Sequence, residues 1–141
     1  MKKAIFTTEI SLLKTTIERL LRRKAGSNLT KIIRKTHPAD IALLMRGFST
    51  ENQKIVFRLS PTFAYKAQIL EELDESLIEN VLSEESVPNI SRTFQYLGTN
   101  DQAMIVGMLP EKQQTAILER LEEEDLEDEE DWEEEDAQDD A

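Results

Sequence analysis

The sequence predicts an all-α protein built as a stack of about eight to ten short helices. Three observations predict it. Apolar residues recur at spacings of three and four along the chain, and no segment sustains the strict alternation of a half-buried strand. Prolines and small polar residues punctuate those stripes where helices would begin. One phrase also returns: "LSPTFAYKAQILEELD" at Leu59–Asp74 is echoed by "MLPEKQQTAILERLEE" at Met108–Glu123. Pro61 and Pro110 lie 49 residues apart, whereas Ile69-Leu70-Glu71 and Ile117-Leu118-Glu119 lie 48 apart.

In chain order, Ile10, Leu13, Ile17, Leu20 and Leu21 form the first stripe, and Leu29, Ile32 and Ile33 the second. Ile41, Leu44, Met45 and Phe48 follow, then Ile55, Val56 and Leu59, then Ala67, Ile69, Leu70 and Leu73. The series continues through Leu77, Ile78, Val81 and Leu82, then Ile90, Phe94 and Leu97. It closes with Met104, Ile105, Met108 and Leu109, and with Ile117, Leu118 and Leu121. Pro38, Pro61, Pro88 and Pro110 are expected in first helical turns, where a missing N–H does no harm. Ser49-Thr50, Asp74 and Thr99-Asn100 are expected to cap the intervening starts. Two such helices make a unit of about 24 residues, and two units make the echo. Helices this short do not stand alone in water, because nucleation is too unfavourable for so few hydrogen bonds. Stacked on neighbours they bury their stripes, which is how helical-repeat arrays hold together.

Charge is segregated along the 141 residues. Residues 122–141 contain 15 carboxylates and no Lys or Arg, leaving 14 acids against 17 bases in residues 1–121. Residues 1–36 hold ten bases against Glu9 and Glu18. Three segments are therefore expected: a basic helical segment over 1–28, the helical stack over 29–121 and an acidic tail over 122–141. The tail has only Leu126 and Trp132 as large apolar residues and is expected to be disordered. There is no cysteine, which excludes disulfides and thiol chemistry. The opening "MKKAIFTTEISLL" lacks the continuous apolar core of a signal peptide. No apolar run approaches the ~20 residues of a membrane helix, so a cytoplasmic protein without membrane insertion is expected.

The run His37-Pro38-Ala39-Asp40-Ile41-Ala42 resembles the "HPADIA" phrase of the cytosolic N-terminal domain of MgtE-type magnesium transporters. Phe57-Arg58-Leu59-Ser60-Pro61 and Ile69-Leu70-Glu71-Glu72-Leu73-Asp74 resemble two further phrases of that family, in the same order. The resemblance runs from about Leu29 to Leu121 and implies a right-handed superhelix of short helices. In that family the domain precedes a CBS pair and a membrane pore, and magnesium bound at acidic residues between the cytosolic modules keeps the gate shut. The chain has no counterpart of those parts and is expected not to transport by itself. Where the family can place acids, this sequence has Gln68, Asn100 and Met104, with Asp101 the one carboxylate nearby. Magnesium is usually anchored by one or two carboxylates. No cofactor and at most weak magnesium binding are therefore expected. The "HP" helix start also resembles that of a domain in the flagellar switch protein FliG, so a flagellar-switch-related helical adaptor is the more distant alternative.

Catalytic chemistry has little to stand on. His37 is the only histidine and is read as a helix start rather than a ligand. No phosphate-binding glycine loop or catalytic triad order occurs. Glu71-Glu72 and Glu84-Glu85 are read as solvated helix surface. The expected function is therefore a non-enzymatic adaptor or regulatory module acting on a protein partner, such as a membrane transporter or its cytosolic domain. A nucleic-acid partner is not expected, because the bases lack interleaved aromatics. Candidate partner-binding residues are Arg19, Arg22, Arg23 and Lys24 in "RLLRRK", together with Trp132, since aromatic anchors dominate binding hot spots. The competing reading is that the tail does the binding, as a charge mimic or weak divalent buffer, with the stack as its carrier. The oligomeric state is not written in the sequence.

Overall fold

A computed structural model describes residues 2–123, with side chains from residue 8 onward. Among these residues there are nine helices and no strand. They are α1 (Lys2–Arg22), α2 (Gly26–Lys35), α3 (Pro38–Met45), α4 (Thr50–Arg58), α5 (Phe63–Glu72), α6 (Glu75–Leu82), α7 (Val87–Phe94) and α8 (Thr99–Met108), followed by α9 over residues 111–123. The expected disorder of the tail lies outside the described residues.

Helices pack on their second neighbours rather than their first. Helix α3 lies on α5 and α5 on α7, while α4 lies on α6 and α6 on α8. These are two parallel rows, begun at one end by α1, which packs on both α2 and α3.

A single module generates the rows. The N-cap residues are His37, Ser49, Thr62, Asp74, Ser86 and Gly98, and the Pro110 carbonyl accepts the first hydrogen bond of α9. Successive caps are 12 residues apart, except for one step of 13 between Ser49 and Thr62. Counting from each cap between His37 and Gly98, the fourth, seventh, eighth and eleventh residues face the core, as in Ile41, Leu44, Met45 and Phe48, or Ile90, Thr93, Phe94 and Leu97. That is the 3-and-4 stripe of an amphipathic helix, with its last member in the following turn. Side-chain oxygens of Ser49, Thr62 and Ser86 accept from the N–H three residues on, as good N-caps do.

The extra residue explains why the echo has two periods. In the first copy Pro61 precedes the cap Thr62, and α5 opens at Phe63. In the second copy Pro110 takes the cap position itself, and the helix opens at residue 111. The prolines are thus 49 apart and the helices they introduce 48. Of the four prolines, only Pro38 and Pro88 lie in a first helical turn. Two expected caps also differ. Gly98, not Thr99 or Asn100, caps α8, and the Asp74 side chain makes no capping bond, standing instead 4.0 Å from Arg46.

The turn after α1 has a conformation that the sequence does not announce. Lys24 has φ 55°, the left-handed region, and its N–H donates to Leu21 O while that of Ala25 donates to Leu20 O. This is the Schellman arrangement that usually employs glycine.

Candidate functional site

Polar residues at core positions hold the rows together. Gln53 and Gln102 are both fourth from their caps and 49 residues apart. The Gln53 Nε2 donates to Met45 O at 2.9 Å and Phe48 O at 3.2 Å, and the Gln102 Nε2 to Phe94 O at 2.8 Å and Leu97 O at 3.0 Å. Gln114, fourth from Pro110, donates to Leu109 O at 2.7 Å. Each glutamine reaches back to carbonyls at the end of the preceding helix and adds a donor there, although Met45 O and Phe94 O also accept from the N–H groups of Phe48 and Leu97. The Tyr65 hydroxyl does the same for α2, lying 3.0 Å from Ile33 O and 2.8 Å from Thr36 O. Burial, and then the nearby Asp40 carboxylate, push the Tyr65 phenol well above its ordinary pKa. Lys66 is buried and pairs with Glu85 at 3.0 Å, with its Nζ 5.4 Å from the Phe57 ring centroid and 5.6 Å from that of Phe63.

Glu85 departs from the expectation of solvated helix surface, and Glu84, although exposed, is not on a helix. Both lie just beyond α6, Glu85 is largely buried against Lys66, and Glu84 reaches Lys54 at 3.3 Å. Glu71 and Glu72 are exposed as expected. The Nδ1 of His37 accepts from Ala39 N at 3.1 Å, so the single histidine is a helix cap.

These polar groups are structural, and the candidate functional surfaces lie outside them. At the first end of the stack, Arg19 and Arg22 occupy the last turn of α1, and Arg23 and Lys24 the turn to α2. All four are exposed, and none forms an ion pair among the described residues. Trp132 lies outside the described residues.

At the other end, α8 and α9 flank a groove of about 420 Å³ lined by Ala103, Val106, Gly107, Gln114, Leu118 and Leu121 among others. Leu118 is 51% exposed and Met104, on the same helix as Ala103, 45%. This groove has no counterpart in the sequence-based expectations. Its signal was the pairing of Leu118 with Leu70 in the echo, since a position buried inside the array is left open at the last of the described helices.

Magnesium fits these residues poorly. Gln68 and Asn100 are exposed neutral side chains on α5 and α8, and Met104 offers a thioether. Among the described residues no group of three or more His, Cys, Asp or Glu side chains is gathered to hold a metal. No helix there is long and apolar enough to cross a membrane.

The architecture defines an all-α helical-repeat domain with an exposed basic corner at one end and an apolar groove at the other. The chain belongs to the MgtE intracellular N domain family, which it matches over residues 36–132. The match begins at the end of α2 and reaches past the described helices to Trp132. Neither the curated proteins nor the solved structures give a match.

Proposed function

We propose that this chain is a non-enzymatic regulatory or adaptor module of the cytoplasm. It acts by contact with another protein, namely a magnesium transporter of the MgtE type or that transporter's cytosolic part. Membership of residues 36–132 in the MgtE intracellular N domain family carries the reading. The apolar groove at α8–α9, lined by the exposed Leu118, supports it together with the exposed Met104 on α8, because exposed apolar side chains mark interaction surfaces. Neutral Gln68, Asn100 and Met104, where the family resemblance calls for acids, argue for a fold used in protein contact rather than as a magnesium sensor.

Affinity capture from native membrane and soluble fractions tests this, using the full chain and a chain ending at Leu121. Recovery of an MgtE-type transporter by both forms is expected. Recovery by the full chain alone would make the acidic tail the binding element. Recovery by neither would end the proposal.

A further inference from the structure

The basic end of the stack has more positive charge than its fold requires. Arg19, Arg22, Arg23, Lys24, Arg34 and Lys35 are all exposed, and none forms an ion pair among the described residues. They lie on the last turns of two packed helices and the turn between them. Cations at helix C-termini complement the helix dipole, which accounts for some of them. It does not account for Lys24, whose backbone sits in the left-handed region where glycine is at ease. A lysine kept in a conformation that disfavours it points to a use for its side chain.

The chain also carries the complement of this surface, 15 carboxylates without a base in residues 122–141. We propose that the α1–α2 surface is a docking site for an acidic segment, and that residues 122–141 of the same chain occupy it. The geometry permits this. From α1 along α3, α5 and α7 the row advances about 8–10 Å per helix, so the site lies on the order of 30–40 Å from the last helix. The 18 residues after 123 can extend to about 60 Å, and like charges spaced along them favour extension. Tethering keeps the tail at an effective concentration of roughly millimolar, above that of any second copy in dilute solution. The contact is loose and ionic, so it shields the surface until another polyanion or acidic protein displaces it. This holds whether or not the partner is a magnesium transporter.

The chain has no cysteine, so Ala137→Cys gives a single attachment point for a spin label on the full-length protein. At low salt, the amides of residues 19–24 and 31–35 are expected to broaden selectively. At roughly molar salt, where the screening length is about 3 Å, the broadening disappears. It also disappears in the triple variant Arg22→Glu, Arg23→Glu, Lys24→Glu, whose changes lie on exposed side chains. Absence of broadening at low salt, or broadening spread evenly over the stack, would overturn the proposal. So would equal broadening in a mixture of spin-labelled unenriched chain with unlabelled nitrogen-15 chain, which would assign the tail to a second copy.

Discussion

Gln53 shows how one side chain can close a helical module. It is buried, and its Nε2 supplies both Met45 O and Phe48 O, while its Oε1 accepts from Asn80 Nδ2 at 2.9 Å. Gln53→Ala removes a partner from Phe48 O, Met45 O and Asn80 Nδ2, of which Met45 O keeps the Phe48 N–H and Asn80 Nδ2 keeps Thr50 O. A buried polar group left without its partner costs about 1–3 kcal/mol. Urea denaturation should show a loss in that range. Gln102→Ala should cost less, since Gln102 is only half-buried. Tyr65 makes a second residue-scale prediction, now in pH. Its folded pKa is raised above the unfolded value, so its contribution is fully present below the unfolded pKa of about 10 and is lost as pH rises through the folded one. Alkaline titration of stability should therefore fall more steeply above about pH 10 in the native protein than in Tyr65→Phe. Equal slopes would remove Tyr65 as the cause.

Among the elements, the two copies of the echoed phrase make a controlled comparison. Leu70 and Leu118 are equivalent in sequence, yet Leu70 is 2% exposed and Leu118 51%. Leu70→Ala should destabilise by about 2–5 kcal/mol, as core truncations do. Leu118→Ala should stay within about 0.5 kcal/mol, as surface changes do. Similar losses in both would mean that the stack does not end at α9. The helices themselves were legible in the sequence because each apolar stripe is paired with a start signal, such as His37-Pro38 or Ser49. The 12-residue module was only half legible. Its core positions are filled by polar residues at Gln53, Lys66, Glu85, Thr93 and Gln102, and hydrophobic periodicity is blind to a core position occupied by a glutamine or an ion pair. The left-handed turn at Lys24 was hidden for a related reason. Its signal is normally glycine, and here the two Schellman hydrogen bonds hold a lysine in its place.

For the molecule as a whole, the arrangement separates scaffold from surface. Internal polar groups are satisfied, with no buried side-chain nitrogen or oxygen lacking a partner among the described residues. Outside that scaffold lie a basic corner at one end and an apolar groove at the other. Neither resembles a cage for a divalent cation. On the reading proposed here, residues 1–121 should bind magnesium no tighter than roughly millimolar, because Gln68, Asn100 and Met104 are neutral where the family resemblance calls for acids. Calorimetry on that form checks this, and a saturable site at micromolar concentration would contradict it. The regulatory reading itself is tested most directly by magnesium flux through an MgtE-type transporter in liposomes, measured while this chain is added to the cytosolic side. The account predicts a saturable change in flux that survives removal of residues 122–141 and weakens with Met104→Lys and Leu118→Lys. A flux that remains unchanged at every concentration of the chain would contradict it.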